Sequence, residues 1–269
     1  MDMTSLVRHE RASKPPPLAA DGTPRLPHVA YDDEGYPHSD GAPLAQNTRQ
    51  ADQLHYAFSA LKTFLRGRLP DAFVANDLLI YPRRHDLRAS VAPDVFVAFG
   101  AGDHARLSYK LWEGEPVPAF VLEVLSGTTA DKDLGEKRDK YAAMGVREFW
   151  VFDPSGRRIR NRVAGYRLRG GRYRPIPPLP RARGYASDAL GLEVRAEGDN
   201  LRIRDPVAAK DLRSHEEANA GADRADAEAE RADAEADRAD AEAERANALA
   251  AENARLRRRL ERYESGQAT

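Results

Sequence analysis

Apolar residues in the first quarter of the chain recur with the period of a helix. Their spacings of four, three and four residues predict one apolar face of a helix that has Thr48 as its N-cap and runs to about Arg66. The residues of this face are Leu54, Phe58, Leu61 and Leu65. We therefore expect one amphipathic helix before the strands begin.

Apolar, β-rich runs follow this helix. They lie at 73–75, 78–81, 95–97, 120–125 and 148–153. Between the last two runs, a segment from about Leu134 to Met144 reads as a helix that Gly145 ends. Strands interrupted by a helix in this order predict an α/β fold, more closely an α+β fold with a mixed sheet.

Two hairpins are predicted after the last of these runs, because polar and apolar positions alternate there between glycine-rich turns. They are formed by 157–162 with 165–169 before the turn Gly170-Gly171, and by 190–194 with 201–204 around Gly198–Asn200. The folded domain is expected to end near Pro206.

Seven-residue repeats begin at Ala222, where ADRADAE, AERADAE, ADRADAE and AERANAL follow one another. Alanines at 3-4 spacing form a narrow seam, which Leu249, Asn253 and Leu256 continue in a form typical of coiled coils. An alanine seam buries little apolar area. A lone helix stabilised by i,i+4 ion pairs is therefore the alternative to self-association.

These patterns divide the chain into four parts. We expect a disordered leader over 1–28, a folded domain over 29–206, a linker over 207–221 and a long helix, paired as a coiled coil, over 222–264.

Composition excludes several kinds of protein. The chain has no cysteine, which rules out disulfides and thiol chemistry and favours the cytoplasm. No apolar run approaches the roughly 20 residues of a membrane span, so we expect no membrane partner. The net charge is −1, so a nucleic-acid surface would have to be local.

Two carboxylates and a lysine stand out within this pattern. Asp94 follows Pro93 at a bend in an apolar run, where a simple turn would explain it equally well. Glu123 lies in a buried run, where an ionised carboxylate needs a cation or hydrogen bonds. Lys137, on the following helix, is placed to reach back to both. Two acids and a lysine on a β-β-α-β core are what metal-dependent phosphodiester cleavage needs.

This stretch resembles the PD-(D/E)xK nuclease superfamily and is similar to its Uma-two (Uma2) branch, whose members are described as restriction endonucleases. The matching residues are Pro93-Asp94, Glu123-Val124-Leu125-Ser126, Lys137 with Tyr141, and Gly145 to Pro154, within a similarity from about Tyr31 to Pro206. Leu125 stands where many relatives carry lysine, and the branch is thought to supply that lysine from the next helix, at Lys137. The resemblance implies a restriction-endonuclease-like core.

The resemblance also implies a mechanism. Asp94, Glu123 and the backbone carbonyl of Val124 would bind Mg²⁺, or Mn²⁺ in its place. Lys137 would orient the attacking water or stabilise the transition state. The substrate would be nucleic acid, DNA rather than RNA, and the protein a homo-oligomer, such as a dimer, formed through its C-terminal helix.

Several assignments stay open at this point. Lys132 and Lys140 are alternatives to Lys137, and Asp77 is either a turn residue or an outer metal ligand. Basic residues in the flanking loops are either phosphate contacts or solvated charges. They are Arg83, Arg84, Arg88, Arg106 and Lys110.

Two other kinds of function compete with the enzyme. One is a catalytically inactive nuclease-fold module that binds nucleic acid or a protein and oligomerises through the coiled coil. The other is a mainly structural coiled-coil protein, for which removing residues 210–269 would abolish all function.

Overall fold

The computed structural model of the chain describes residues 18–26, 28–39, 47–126, 130–180 and 184–266. Three α-helices form within these ranges: α1 (Thr48–Arg66), α2 (Ala130–Met144) and α3 (His215–Gly266). The strands of the same ranges are β1 (Ala72–Ala75), β2 (Ile80–Tyr81), β3 (Val95–Phe99), β4 (Tyr109–Lys110), β5 (Phe120–Val124), β6 (Glu148–Phe152), β7 (Val163–Arg169), β8 (Arg172–Pro175), β9 (Tyr185–Ser187), β10 (Leu192–Glu197), β11 (Asn200–Asp205) and β12 (Lys210–Asp211).

A six-stranded mixed sheet, in the order β1-β3-β5-β6-β7-β8, forms the centre of the domain. β5 and β6 are parallel and are connected through α2, whereas β3 and β7 run antiparallel to them. Every residue of β5 and β6 is buried, as is usual for strands covered on both faces. The predicted mixed α/β sheet is confirmed.

Successive side chains of each strand point to opposite faces of this sheet, so the core is divided into two parts, one on each face. On one face, Leu122 packs in a cluster with Leu61 of α1 and with the second sheet. On the other face, Val121 packs in a cluster with Tyr141 of α2. Glu123 lies two residues after Val121 in the same strand, so its side chain points to the same face, which α2 covers.

The strand register brings the two predicted carboxylates to one edge of the sheet. β3 pairs antiparallel with β5, with Val95 opposite Leu122. One further step along this register puts Asp94 beside Glu123. The start of β3 and the end of β5 therefore meet, although the two acids are 29 positions apart in the sequence.

A second sheet, β12-β11-β10-β9, covers the α1 face of the first. β10 and β11 form the predicted closing hairpin, in which Glu197 lies opposite Asn200. The other predicted hairpin is displaced along the chain. β7 pairs with β6 and β8, whereas residues 157–162 form turns. The Asp153 carboxylate accepts backbone hydrogen bonds in this segment, which removes donors that a strand would need.

Two local predictions are wrong in detail. The N-cap of α1 is Asn47, whose side chain accepts a hydrogen bond from the amide of Gln50 at 2.9 Å, and Thr48 is the first helical residue. The run 78–81 yields only the short β2, which pairs with β4 outside the main sheet. Asp77 adopts φ of 48°, a left-handed conformation that turns the chain away from β1.

Ordered structure extends past both predicted domain boundaries. Leu18 and Pro24 form an isolated bridge within the predicted leader, of which 1–17 and 27 lie outside the described residues. At the other end, β12 pairs with β11 beyond Pro206, and α3 begins within the predicted linker. The chain divides into two compact units, 1–215 and 216–269.

The second unit is the continuation of α3, a single unbroken helix that includes the predicted segment 222–264. Leu249, in the predicted seam, is 62% exposed in the single chain. Pairing of this helix as a coiled coil stays a prediction. Across the described ranges, no helix is long and apolar enough to span a membrane.

Candidate active site

Glu123 lies at the fourth position of β5 under α2. Only 7% of its side chain is exposed, and both carboxylate oxygens have partners. Lys137 donates from Nζ to Oε2 at 2.7 Å, and the hydroxyl of Tyr141 donates to Oε1 at 2.5 Å. Lys137 and Tyr141 reach the same carboxylate because residues four apart share a face of a helix.

Asp94 directly precedes β3, where its Oδ2 accepts a hydrogen bond from the amide of Val124 at 2.6 Å. Burial raises the pKa of Asp94 to about 8, and the charge of Glu123 contributes to the rise, while Lys137 and the Val124 amide oppose it. Burial and the charge of Glu123 therefore outweigh the stabilising effect of the lysine on the charged form of Asp94.

Lys137 also connects the helix to the segment before Asp94. Its Nζ donates to the carbonyl of Ala92 at 3.0 Å. Lys140 points elsewhere, since it donates to the carbonyl of Ser90 at 3.0 Å and pairs with Glu136. The side chain of Lys132 lies outside the described residues. Of the two described lysines on this helix, Lys137 is the one that touches a site carboxylate.

The backbone of Val124 connects three parts of the site. Its amide binds Asp94, and its carbonyl accepts a hydrogen bond from Nε2 of Gln50 at 3.0 Å. Gln50 is a buried residue of α1 that the sequence analysis missed. The available signal was a glutamine four residues before Leu54 on the apolar face of the helix. A carbonyl oxygen has two lone pairs, so this contact leaves one for another ligand.

Asp77 lies beside the site through its backbone. Its amide donates to the carbonyl of Pro93 at 3.1 Å, and its charge makes a minor contribution to raising the pKa of Asp94. The left-handed backbone of Asp77 is that of a turn residue. Both expected roles, the turn and the outer ligand, are compatible with this position.

The donors at this edge suit a hard divalent cation. The described ranges contain no group of three or more histidine, aspartate or glutamate side chains that could hold a metal ion. A cation would therefore rest on Asp94, Glu123 and the Val124 carbonyl, with water as the remaining ligands. Mg²⁺ fits such a set, because it keeps several waters and uses one or two carboxylates. Burial and the nearby charge of Glu123 together raise the pKa of Asp94, and a bound cation would lower it again by favouring the charged carboxylate.

Four of the five flanking cations are engaged with carboxylates. Arg106 is buried against Glu115, with Nε at 2.6 Å from the carboxylate. Lys110 is enclosed by acids of the N-terminal segment, including Asp32 at 2.7 Å. Arg83 and Arg84 form exposed ion pairs with Asp86 and Glu34. Arg88 is exposed, and its charge helps to lower the pKa of Asp21. Arg106 and Lys110 are thus internal ion-pair residues, which corrects their expected place on the surface.

Glu148, at the start of β6, supports the scaffold from the opposite face. It is fully buried and accepts hydrogen bonds from the Trp150 indole, the Ser187 hydroxyl and the Arg167 guanidinium. These partners join the two sheets. The residue belongs to the matched motif, but its motif position gave no indication of this structural role.

The structure thus places two carboxylates and a lysine together at the end of a parallel strand in a mixed α/β sheet. The chain belongs to the Uma2 family: the family model, described as "Putative restriction endonuclease", matches residues 23–197. The resemblance found in the sequence is thereby confirmed.

Known structures and curated proteins complete the comparison. A crystal structure from Anabaena variabilis, described as "a putative nuclease belonging to DUF820", is similar to this chain with a TM-score of 0.38 and 17% sequence identity. The similarity covers 61% of this chain and 90% of that one. A search of curated proteins finds no match.

Proposed function

We propose that this protein is a metal-dependent endonuclease that hydrolyses phosphodiester bonds in nucleic acid, with DNA as the substrate. The observation that carries the proposal is the 2.7 Å contact between Lys137 and Glu123, beside Asp94 at the same sheet edge. Membership of a family described as restriction endonucleases supports it.

Each residue would contribute one part of the chemistry. Asp94, Glu123 and the Val124 carbonyl would hold Mg²⁺, or Mn²⁺ in its place. The bound cation would lower the pKa of a coordinated water and neutralise charge on the phosphate. Lys137 would place its ammonium next to the charge that develops on the phosphoryl oxygens. Tyr141 would keep Glu123 in position through its hydroxyl.

Two further proposals concern the whole protein. The repeats of α3 support a homodimer formed along this helix, and the absence of cysteine in the sequence supports a cytoplasmic location.

Plasmid cleavage in Mg²⁺ tests the catalytic proposal. We expect Asp94→Asn and Glu123→Gln to reduce cleavage to background, because each replaces a charged carboxylate ligand of the cation by a neutral amide. Lys137→Met should slow cleavage by about 10²–10³-fold, the usual effect of losing one transition-state contact. The matched control is Lys140→Met, which should stay within about threefold of the wild type, because Lys140 contacts neither acid.

Cleavage that survives either carboxylate substitution would rule out this site. Equal effects of the two lysine substitutions would show that the contact between Lys137 and Glu123 has no catalytic role.

An inactive binding module is the second candidate, and one observation favours it. Both oxygens of Glu123 and the carbonyl of Val124 have internal hydrogen-bond donors. The site is therefore satisfied in part without a cation. Titration of Mn²⁺ by calorimetry separates the two candidates. Binding that Asp94→Asn abolishes supports the enzyme, whereas DNA binding without measurable Mn²⁺ binding or cleavage supports the module.

A further inference from the structure

The hairpin of β7 and β8 presents a set of arginines on one face. Gly170 and Gly171 form its two-residue turn with φ of 55° and 73°, the left-handed pair that a tight hairpin turn requires. The strand register pairs Arg169 with Arg172 and Arg167 with Arg174. Directly opposed residues share a face of a sheet, so these four form what we call the arginine ladder.

Only one of the four arginines of the ladder forms ion pairs with acidic side chains in the part of the chain that the structure describes. Arg167 binds Glu148 at 3.2 Å and Asp188 at 2.7 Å. The other three, Arg169, Arg172 and Arg174, are exposed, and no ion pair within the described ranges joins them to a carboxylate. Like charges directly opposed across strands are destabilising. The end of this hairpin therefore holds three positive charges at a cost to the fold.

The second sheet shows how the same chain treats an equivalent pair. Arg195 lies opposite Arg202 across β10 and β11. There, however, Asp211 binds Arg195 at 2.6 Å, and Glu197 lies within 3.5 Å of both arginines. Opposed arginines in β10 and β11 are neutralised by neighbouring acids, whereas those at the end of the β7–β8 hairpin are not.

The arginine ladder is separate from the candidate active site. Arg167 pairs with Glu148, at the start of β6, whereas Glu123 pairs with Val151 near the end of that strand. The ladder also shares the face of Val163, which packs toward α1, and Glu123 points to the α2 face. The ladder thus lies on the opposite face and toward the opposite end of the sheet.

We propose that Arg169, Arg172 and Arg174 form a second contact surface for nucleic acid, which binds the phosphate backbone away from Asp94, Glu123 and Lys137. Guanidinium groups match phosphate oxygens in geometry and charge. Arg172 and Arg174 lie about 7 Å apart along the strand, about twice the axial spacing of charges on one strand of a duplex, so the two could contact alternate phosphates. The choice of nucleic acid as the polyanion rests on the proposed function.

The charge distribution agrees with an anionic partner. Residues 216–269 contain 15 of the 43 acidic and 9 of the 42 basic residues. Residues 1–215 therefore hold 33 basic and 28 acidic residues, a net charge of +5, although the whole chain carries −1. The domain with the arginine ladder is positive, and the negative charge is concentrated in α3.

Fluorescence anisotropy with a DNA duplex tests this surface in the full-length protein. Every variant also carries Glu123→Gln, and EDTA is present, so that cleavage cannot interfere. The ladder variant is Arg169→Ser, Arg172→Ser and Arg174→Ser. The charge-matched control replaces Arg66, Lys210 and Arg213, three exposed cations outside the β7–β8 hairpin, by serine.

The ladder variant should bind the duplex about tenfold more weakly or worse, and the slope of log affinity against log salt should fall by about 3, one for each lost phosphate contact. The control should keep a slope close to that of the parent. A melting temperature at or above that of the parent would show that the ladder variant is folded, because it relieves repulsion.

Equal salt slopes for the ladder variant and the control would overturn the proposal. So would a ladder variant that binds DNA normally but changes its sedimentation, because the ladder would then bind an acidic protein surface such as a second copy of this chain. Wild-type protein that cleaves no substrate while the ladder effect persists would refute the nuclease and leave this surface standing. Cleavage without a ladder effect would do the reverse.

Discussion

At the scale of single residues, Gln50 connects the first helix to the site. Its amide satisfies the buried carbonyl of Val124 at 3.0 Å. We expect Gln50→Leu to lower the free energy of unfolding by about 1–3 kcal/mol, because a buried carbonyl loses its donor. We also expect slower cleavage, because the end of β5 that carries Glu123 loses a support. Urea denaturation and plasmid cleavage measure the two effects.

Gln53 offers a matched control one turn further along α1. Its Oε1 accepts a hydrogen bond from the amide of Leu201 at 2.7 Å, in the second sheet and away from Glu123. Gln53→Leu should cost a similar free energy of unfolding and leave the cleavage rate of the folded protein near normal. If both substitutions slow cleavage alike, Gln50 affects activity only through overall stability.

Asp153 gives the fold a dependence on acid pH. Burial alone would raise the pKa of its carboxyl, but hydrogen bonds from the Ser155 hydroxyl and from the amides of Arg158 and Ile159 outweigh burial and lower the pKa. A carboxylate with a lowered folded-state pKa stabilises the protein above its unfolded pKa of about 3.9, and this contribution disappears as the pH falls below that value.

Urea denaturation of Asp153→Asn across pH tests this dependence. The variant should be less stable than the wild type at pH 7 by about 1–3 kcal/mol, the cost of weakening a buried hydrogen-bond acceptor. The difference should shrink as the pH falls below about 4. A difference that is constant with pH would show that the charge of Asp153 does not contribute.

At the scale of secondary-structure elements, we expect alanine substitution at two glycines, one in a strand and one in a helix, to change stability in opposite directions. Gly165 of β7 lies opposite Trp150, and a Cβ there would approach the indole to 2.7 Å. Gly165→Ala should therefore destabilise the protein by about 1–3 kcal/mol through overpacking. By contrast, a Cβ added at Gly135 of α2 would meet no other atom within 4 Å. Gly135→Ala should stabilise the protein by about 0.5–1 kcal/mol, because alanine favours the helix.

Thermal unfolding of both variants measures the two changes in stability, which we expect to have opposite signs although the substitution is glycine to alanine in both. A stabilised Gly165→Ala would mean that Trp150 can move without loss of packing. A destabilised Gly135→Ala would mean that α2 depends on glycine for its approach to the sheet.

At the scale of the whole molecule, self-association rests on α3. Leu249 lies in the predicted seam and is exposed in the single chain. Leu249→Glu should shift sedimentation equilibrium toward the monomer, because it puts a charge into an apolar seam. Asn247→Glu adds the same charge at an exposed position outside the predicted seam and should leave the equilibrium unchanged. A wild type that is monomeric at all concentrations would contradict the dimer.

Much of the architecture was predictable because the spacing of apolar residues is visible within a short stretch of sequence. The apolar face of Leu54 and Leu61 predicted α1. The apolar run before α2 predicted β5. The turns at 157–162 were not predictable in this way. There, Asp153 binds backbone amides that alternation alone would assign to a strand.

The sequence by itself determined most of the elements, the family and the identity of the candidate site residues, because these follow from residue type and order. Only the tertiary structure decided which of them meet. The register of β3 against β5 places Asp94 beside Glu123, and the position of α2 gives Glu123 to Lys137 rather than Lys140. Gln50 and the unbalanced end of the β7–β8 hairpin also depend on contacts between residues distant in sequence, which no local pattern encodes.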